Sequence, residues 1–262
     1  MFLGGLSIML AIQRLKEIKK ILNEKGSVVV SSLSKQFRVS EETIRRDLEK
    51  LEKSNVLRRV RGGAYLQTDS DKQVPLEIRE NIYLVEKQKM ADKCVEFIND
   101  GDTLMIDSST TAACVAQKLN ECQKKVTVIT NSMKVVEEFQ ASKWVKVICI
   151  GGGLRKRTRS FIGIQALTQL ENLYANKAII SCTALNKKFG ATDDSEREAE
   201  IRKKMIDNSE KIYLIADGTK FDALESHLIC NFTDVDKLIT EKRLSKDWEK
   251  ILKEQNVEII YV

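Results

Sequence analysis

The stretch DSSTT, residues 107–111, combines one carboxylate with four hydroxyl side chains where an apolar run gives way to a helical pattern. The first turn of a helix has unbonded backbone N–H groups, and neighbouring Ser and Thr hydroxyls add further donors for an anion. Asp107 can instead accept hydrogen bonds from sugar hydroxyl groups. The four hydroxyl residues are Ser108, Ser109, Thr110 and Thr111. The stretch therefore predicts a site for a small ligand with negative charge and hydroxyl groups.

Four further polar stretches also follow apolar runs and are candidates for the same site. Their candidate residues are Asn131 in TNS, Gly152 and Arg155 in GGGLR, Glu198 in the acidic stretch DDSEREAE, and Lys220 in DGTK. Glycine lets a ligand approach the backbone, and the two basic side chains supply positive charge. Each stretch alone is equally typical of a helix cap or turn, and the basic run 155–159 of a solvated loop. Together they favour a small anionic ligand.

The stretch VSEETIRRDLEKLEKSNVLRRVRGGA, residues 39–64, has residue types suited to contact with nucleic acid. Arginine can bond guanine through two hydrogen bonds, and Ser or Thr can reach phosphate or a base edge. A helix that exposes such groups can enter the major groove, and a basic hairpin can follow the phosphates as a wing. The candidate contacts are Ser40, Glu41, Thr43, Arg45 and Arg46 in the helix, and Arg58, Arg59 and Arg61 in the wing. A solvated charged helix with a basic loop is the alternative.

The distribution of charge favours the nucleic-acid interpretation. The net charge of the 262 residues is +6, but residues 1–66 have 14 Lys/Arg against 7 Asp/Glu, a net of +7. The remaining 196 residues have 30 against 31, so the excess positive charge lies in the first quarter of the chain. Such asymmetry indicates an anionic partner for that quarter, and double-stranded DNA is the first candidate.

Hydrophobic spacing predicts the elements that position the basic residues. The expected order is a helix ending at Gly26, a strand at 28–30, a helix through Phe37 capped by Ser31 or Ser32, a helix capped by Ser40, and a two-stranded wing turning at Gly62-Gly63. The third helix has two faces: Ile44, Leu48 and Leu51 form the apolar face, and Thr43, Arg46, Asp47 and Lys50 fall towards the other. This order is typical of a winged helix-turn-helix.

From residue 85 onward, short apolar strands alternate with amphipathic helices. Strands are predicted at 103–107, 126–130, 145–150, 177–182, 212–216, 236–240 and 257–262, and helices at 86–99, 110–121, 132–141, 164–173, 195–208 and 244–254. The pattern predicts an α/β domain with a mostly parallel sheet and helices on both faces, in which ligands bind beyond the carboxyl ends of the strands. The only proline, Pro75, lies in a polar segment, so the predicted domains are 9–66 and 85–262 with a linker at 67–84.

The run from Ile12 to Ala64 resembles the winged helix-turn-helix of DeoR-type transcriptional regulators, above all in VSEETIRRDL. DSSTT, TNS, GGGLR, EAEIRKKMI and DGTKF resemble, in the same order, the sensor domain of that family, which is similar to the ribose-5-phosphate isomerase fold. The resemblance implies a repressor of carbohydrate genes whose sensor domain binds a phosphorylated sugar. It assigns phosphate binding to residues 108–111 and the pocket lining to Asp107, Asn131, Gly152, Arg155, Glu198 and Lys220. The chain departs from the family pattern at Arg61, Ser109 and Arg202, where His, Gly and Lys are usual.

Composition and the remaining motifs exclude several other classes. The six cysteines include no C-x-x-C pair and lie in apolar runs, so we expect reduced core residues in a cytoplasmic protein, with no metal and no cofactor. No apolar run approaches the roughly 20 residues that span a bilayer. Residues 1–8 have neither a basic segment nor a cleavage site, and Met9 begins a sequence that makes sense by itself, so we expect residues 1–8 to be an upstream start or a disordered lead. We expect a homo-oligomer, a dimer or tetramer, with the helical pattern near 76–99 as the transmitter between domains.

Two other functions fit parts of the sequence. An isomerase or deaminase with a DNA-binding appendage would need a proton-abstracting base, for which Asp193, Asp194, Glu196 and Glu198 are candidates. A solvated helix cap explains the same carboxylates, so we expect a regulator rather than an enzyme. A DNA-architectural protein without a ligand would have no use for five polar stretches at strand ends.

Overall fold

The structure is a computed structural model that describes residues 10–66 and 74–262. Its contacts divide the chain into two compact units, with the boundary between Ile82 and Tyr83. The lead expected at residues 1–8 and most of the polar half of the linker, 67–73, lie outside the described residues. Residues 76–81 fold as part of the first unit. The division at 9–66, 67–84 and 85–262 stays a prediction.

Within residues 10–66 and 74–82, the first unit has four helices and a three-stranded antiparallel sheet. Its helices are α1 Ala11–Lys25, α2 Val30–Phe37, α3 Glu41–Lys53 and α4 Leu76–Asn81, and its strands are β1 Ser27–Val29, β2 Arg58–Val60 and β3 Gly63–Tyr65. The sheet order β1-β3-β2 puts β3 in the middle, where a side chain on Gly63 would come within 2.3 Å of the Val28 carbonyl oxygen. Glycine therefore lets β3 lie against β1, and the predicted winged helix-turn-helix is confirmed.

Two local predictions for the first unit were wrong. Helix α2 begins at Val30, and the residue before it, Val29, caps it without a side-chain hydrogen bond, so neither Ser31 nor Ser32 is the cap. The helical pattern near 76–99 is also not one helix, because α4 ends at Asn81 and Tyr83 has a left-handed φ of 54°.

The second unit is built on one seven-stranded sheet. Its strands are β4 Thr103–Ile106, β5 Val126–Thr130, β6 Val145–Cys149, β9 Ala175–Ile180, β12 Ser209–Ile215, β14 Lys237–Thr240 and β15 Glu258–Tyr261. Its helices are α5 Leu84–Val95, α6 Thr110–Glu121, α7 Met133–Phe139, α8 Ile164–Leu170, α9 Glu196–Asp207 and α10 Lys246–Glu254, with a 3₁₀ turn at Phe232–Asp234. All seven predicted strands belong to this sheet, and every neighbouring pair is parallel. The predicted α/β fold class is confirmed.

Buried side chains cover both faces of the sheet. Leu104 and Ile106 pack into one hydrophobic cluster, while Met105 between them packs into another. Because successive strand residues point to opposite faces, this alternation shows that the sheet is covered on both sides.

Only some of the cysteines lie in the core. Cys94, Cys182 and Cys230 are buried, but Cys122 and Cys149 are exposed and Cys114 is half-buried. The expectation of core cysteines is confirmed for the three buried ones and was wrong for the other three.

The strand order β15-β14-β12-β9-β4-β5-β6 creates a topological switch point beside β4. From β4 the chain continues through β5 and β6 towards one edge, and β9 then returns to the other side of β4. Ligands in open α/β sheets bind at the carboxyl ends of the strands at such a point. The stretch 107–111 follows β4 directly and so lies at the switch point.

Two small β-structures were not predicted from the sequence. One is a hairpin of β7 Gly153–Arg155 and β8 Ser160–Ile162, and the other is a sheet of β10 Ala184–Asn186, β11 Gly190–Asp193 and β13 His227–Cys230. The hairpin β7–β8 is held beside the end of β5, because the Phe161 N–H donates to the Asn131 carbonyl and the Met133 N–H donates to the Arg159 carbonyl. These elements surround the carboxyl edge of the large sheet.

Candidate functional sites

The N-terminus of α3 is organised around Ser40. The Ser40 hydroxyl accepts a hydrogen bond from the Thr43 N–H at 3.2 Å and lies 2.9 Å from the Thr43 hydroxyl. This cap starts the helix at Glu41 and leaves Ser40 exposed beside it. Two predicted DNA contacts therefore have a structural role in the cap, which also fixes where their hydroxyls lie.

The two arginines predicted to read DNA lie on the exposed face of α3 and are paired with glutamates one turn earlier. Arg45 contacts Glu41 at 2.5 Å, and Arg46 contacts Glu42 at 3.3 Å. The side chains of Arg45 and Arg46 are 52% and 73% exposed. Exposed pairs at this spacing are weak, about 0.3–0.5 kcal/mol, so phosphates or bases can displace the glutamates at small cost.

Asp47 faces the interior, which corrects its expected position on the polar face of α3. Its carboxylate is 3% exposed and accepts from the Arg14 guanidinium at 2.5 Å. Arg14, on α1, is also buried, so the pair joins α1 to α3 inside the core. Breaking a buried ion pair by removing one partner typically costs 3–5 kcal/mol. Arg14 and Asp47 therefore hold the helix that presents Arg45 and Arg46.

The wing arginines differ in their surroundings. Arg58 and Arg59 are both exposed on β2, and Arg61 is exposed in the turn. Glu52 of α3 accepts from the Arg59 backbone N–H at 2.9 Å and from its Nε at 2.6 Å. Arg59 therefore joins the wing to α3, a role that the sequence did not indicate.

At the switch point, Asp107 is already bonded within the protein. Its Oδ1 accepts from the Ser109 N–H at 2.9 Å, and its Oδ2 accepts from the Ser181 N–H at 3.1 Å and from Arg202 Nε at 2.7 Å. The residue is 1% exposed. Asp107 thus joins the loop that follows β4 to the loop that follows β9. Both of its oxygens already accept hydrogen bonds within the protein, so the expected bonds to sugar hydroxyls stay a prediction.

Arg202 is the centre of a buried ionic cluster. Besides Asp107, it contacts Asp193 at 2.6 Å through Nη1 and lies 3.8 Å from Glu198 through Nη2. Burial opposes its charge, but the three carboxylates prevail and raise the pKa of Arg202 above its ordinary value. Each of the three nitrogens of the guanidinium faces a different carboxylate, a planar arrangement that the single nitrogen of a lysine does not offer. The departure from the family pattern at Arg202 therefore has a structural consequence.

Glu198 accepts hydrogen bonds from three hydroxyl groups. Oε2 accepts from Ser108 at 2.8 Å, and Oε1 accepts from Thr158 at 2.7 Å and Ser160 at 2.6 Å. Arg155 lies 3.7 Å away and donates to Thr158 at 3.2 Å. Burial opposes ionisation, but Arg202 and the three hydroxyls outweigh it and lower the pKa of Glu198. The structure thus brings Ser108, Arg155 and Glu198 together, as predicted, and adds Thr158 and Ser160.

The first turn of α6 has the features of an anion site, including one lysine that the sequence analysis missed. Ser109 caps the helix by accepting from the Ala112 N–H at 3.0 Å. Lys87 of α5 is 4% exposed, and its ammonium donates to the Thr110 hydroxyl at 3.0 Å. Thr111 is buried in the same turn. A cation beside a helix N-terminus attracts an anion more strongly than either feature alone.

The remaining predicted residues have different roles. Asn131 is fully buried and donates to the Phe161 carbonyl at 3.0 Å, while its Oδ1 has no hydrogen-bond partner among the described residues. A side chain on Gly152 would come within 2.8 Å of the Ile162 carbonyl oxygen, so this glycine admits the chain's own backbone. Lys220 is half-buried, and within residues 10–66 and 74–262 its ammonium makes no hydrogen bond or ion pair. Asn131 and Lys220 therefore keep groups available for a ligand.

Asp194 is a half-buried carboxyl group whose pKa is shifted towards the neutral form. Burial, a hydrogen bond with Asp193 and the charge of Asp193 raise the pKa of Asp194 to about 6. The pKa of Asp193 is lowered instead, because Arg202 and hydrogen bonds outweigh its burial.

Among the described residues no group of three or more His, Cys, Asp and Glu could hold a metal ion, and no helix there is long and apolar enough to cross a membrane.

Comparisons with known families match both units. Residues 14–70 match the DeoR-like helix-turn-helix domain, and residues 83–242 match the DeoR C-terminal sensor domain. The chain is 37% identical over 254 residues to the uncharacterized HTH-type transcriptional regulator YulB of Bacillus subtilis. The alignment covers 97% of this chain and 98% of that protein. The family resemblance predicted from the motifs is confirmed.

Two further relatives carry names that state a function. The lactose phosphotransferase system repressor of Staphylococcus aureus is 31% identical over 91% of this chain and 94% of its own length. The HTH-type transcriptional repressor GlcR of Bacillus subtilis is 28% identical over 95% of each chain.

Among solved structures, ribose 5-phosphate isomerase A of Methanocaldococcus jannaschii aligns with 53% of this chain and 55% of its own, with 13% identity and a TM-score of 0.40.

Proposed function

The chain belongs to the DeoR family of HTH-type transcriptional regulators, and we propose that it represses genes of carbohydrate metabolism under the control of a phosphorylated sugar. One observation carries the effector part of this proposal. At the switch point of the sheet, a capped helix start with a Ser/Thr turn meets the buried ammonium of Lys87. The names of two relatives, a lactose phosphotransferase system repressor and GlcR, support the repressor part.

On the DNA side, α3 enters the major groove and the wing follows the phosphates. The proposed contacts are Ser40, Glu41, Thr43, Arg45, Arg46, Arg58, Arg59 and Arg61. Support comes from the exposure of Arg45 and Arg46 and from the excess of positive charge in residues 1–66. Because several phosphates are neutralised, the affinity for DNA falls steeply with salt concentration.

On the effector side, the phosphate group of the sugar binds at the first turn of α6. Ser108, Ser109, Thr110 and Thr111 surround it, and Lys87 and Lys220 supply positive charge. The sugar hydroxyls lie towards Asn131, whose buried Oδ1 requires a hydrogen-bond donor. The proposed lining is completed by Asp107, Gly152, Arg155 and Glu198, of which Asp107 and Gly152 act through the shape of the loop rather than through ligand contact.

Control follows from a difference in affinity between two conformations of the protein. The effector binds one conformation more tightly than the other and so shifts the protein towards it. The affinity for the operator can change by no more than the ratio of the effector's affinities for the two conformations. A homo-oligomer, a dimer or tetramer, matches the half-sites of an operator with two recognition helices. We place this regulator in the cytoplasm, where the DNA is.

The test measures operator binding in the presence of candidate effectors. Fluorescence anisotropy with labelled DNA from the protein's own promoter gives the dissociation constant with and without each of a panel of phosphorylated sugars. We expect one compound to change that constant at least fivefold, while its unphosphorylated sugar has no effect. Arg45→Ala/Arg46→Ala serves as the control that cannot bind the operator specifically. If no phosphorylated metabolite changes the affinity of a tight complex, the effector part of the proposal is wrong.

We propose that the sensor domain binds its effector without turnover, but Asp194 favours an isomerase as the second candidate. Its pKa of about 6 suits a base that abstracts a proton next to a carbonyl at neutral pH. Asp193 and Glu198 are poorer bases, because their pKa values are lowered. Incubation with ribose 5-phosphate and related aldose phosphates, followed by detection of ketose products, decides between the two. Turnover that Asp194→Asn abolishes would identify an enzyme.

A further inference from the structure

The carboxylate of Glu198 is bonded in the way that proteins bond an anionic ligand. Three hydroxyl groups donate to it within 2.8 Å, from Ser108, Thr158 and Ser160. Two guanidinium groups, of Arg155 and Arg202, lie 3.7 and 3.8 Å away. The carboxylate is 2% exposed, so water does not share in its solvation. Convergent hydroxyl and guanidinium donors of this kind are what a bound phosphate or carboxylate requires.

Two of these donors belong to the proposed effector site. Ser108 opens the turn that leads into α6, and Arg155 is the basic residue of the GGGLR stretch. An effector phosphate that takes the Ser108 hydrogen must remove it from Glu198, because a hydroxyl group has one hydrogen to donate. The same phosphate would also compete with Glu198 for the charge of Arg155, which lies 3.7 Å from that carboxylate. If Glu198 stayed in place, its charge would also lie within a few ångströms of the phosphate and repel it.

We propose that Glu198 is an intramolecular competitor of the effector: it holds Ser108 and Arg155 until an anionic ligand takes them, and the ligand displaces its carboxylate. This inference rests on the proposed function and specifies how that site is regulated. Glu198 lies in the first turn of α9, so its displacement moves the start of that helix. The hairpin β7–β8 moves with it, because Thr158 precedes β8 and Ser160 begins it, and both are bonded to Glu198.

Arg202 keeps the competitor in its ionised form while the switch operates. The same guanidinium also bonds Asp107 and Asp193, which anchors α9 one turn further along to β4 and β11. The beginning of α9 is therefore held in part by the Ser108 hydrogen bond, which a ligand can replace, and its second turn by an ion pair that no ligand needs to break. Rotation about the Arg202 anchor is the movement that displacement of Glu198 produces.

The test compares the binding of inorganic phosphate to the wild-type protein and to Glu198→Gln by isothermal titration calorimetry. The substitution keeps the size of the side chain and removes its charge. A like charge about 5 Å away at an effective dielectric of about 20 opposes binding by roughly two orders of magnitude, so we expect at least about tenfold tighter binding after relaxation. Glu200→Gln is the matched control, because Glu200 is an exposed glutamate on the same helix, and we expect no change there.

The outcomes separate this inference from the proposed function. If Glu198→Gln binds phosphate as the wild type does, or more weakly, Glu198 is not a competitor, although the anion site itself stands. If neither protein binds phosphate, ribose 5-phosphate or glucose 6-phosphate, the proposed function fails together with the inference. Thermal melting of the variant establishes whether it is folded before the titration.

A second measurement uses the unchanged chain. A crystal structure of the wild-type protein with inorganic phosphate bound at the first turn of α6 should have the Ser108 hydroxyl on the phosphate. Its distance to Glu198 should then exceed the present 2.8 Å and lie outside hydrogen-bonding range. A bound phosphate with the bond between Ser108 and Glu198 intact would overturn the inference, whatever the variant does.

Discussion

Substitution of Arg202 by methionine should destabilise the second unit more than any exposed charge removal. The change leaves the carboxylates of Asp107, Asp193 and Glu198 buried without the cation that contacts them at 2.7, 2.6 and 3.8 Å. Removing one partner of a buried ion pair typically costs 3–5 kcal/mol. For a unit of this size each kcal/mol lowers the melting temperature by about 2–4 °C, so we expect a fall of about 6–20 °C.

The loss should depend on pH, and its sign follows from the pKa shifts. In the wild type the pKa values of Asp193 and Glu198 are lowered, so these carboxylates stabilise the fold above their ordinary pKa values of 3.8 and 4.5. That stability is lost as the pH falls through the lowered values. Without Arg202, burial dominates and raises both pKa values, so the variant loses stability as the pH rises. The difference between the two proteins is therefore larger at pH 8 than at pH 5.

The assay is urea unfolding, followed by circular dichroism, at pH 5 and pH 8. Lys203→Met is the matched control, because Lys203 is the exposed neighbour on the same helix, and we expect a change below about 0.5 kcal/mol. Adding Asp107→Asn to Arg202→Met should recover part of the lost free energy of unfolding. A loss below 1 kcal/mol, or the same loss at both pH values, would refute the account of the ionic cluster.

Three further predictions concern other parts of the molecule. Arg46→Ala should weaken specific operator binding by about 1–3 kcal/mol in anisotropy titrations, and non-specific binding by less. Lys53→Ala, at the far end of α3, is the control. Equal losses of affinity for operator and for non-specific DNA would exclude a base contact. Asp47→Ala should lower the free energy of unfolding of the first unit by about 3–5 kcal/mol in urea, because Arg14 remains buried without its partner; a change below 1 kcal/mol would contradict this. Asp194→Asn should stabilise the protein at pH 8 by about 1 kcal/mol, discounted for solvent screening of a half-buried group, and not at pH 4. The raised pKa of Asp194 gives stability that is lost as the pH rises through about 6, so melting curves of variant and wild type should converge below pH 4 and diverge above pH 6.

The large sheet could be predicted from the sequence because each of its strands is a short apolar run. Strands buried on both faces have continuous apolar segments, and helices between them have their own period, so the two signals do not overlap. The strands of the hairpin β7–β8 and of the small sheet could not be found in this way. They are only three or four residues long, too short for a period of two to show, and β11 also pairs with the distant strand β13.

The sequence identified residues of the candidate sites but not the hydrogen bonds and ion pairs that join them. Residues at strand ends pointed to the region of Ser108 and Glu198, since parallel strands bring their carboxyl ends to one edge. No local signal indicated that Arg202, 95 positions from Asp107, would donate a hydrogen bond to the Asp107 carboxylate. Two missed residues did have a signal: Asp47 repeats the spacing of Ile44, Leu48 and Leu51, and Lys87 that of Met90, Ala91 and Cys94, so each lies on a buried helical face.

If the effector controls DNA binding, the binding of effector and the binding of operator DNA must be coupled. Isothermal titration calorimetry gives the dissociation constant of the effector for the free protein and for the protein saturated with operator DNA. By linkage, the ratio of these two constants must equal the factor by which the effector changes DNA affinity. We expect a ratio of at least about five, equal in both directions. Equal effector affinity with and without DNA would contradict it.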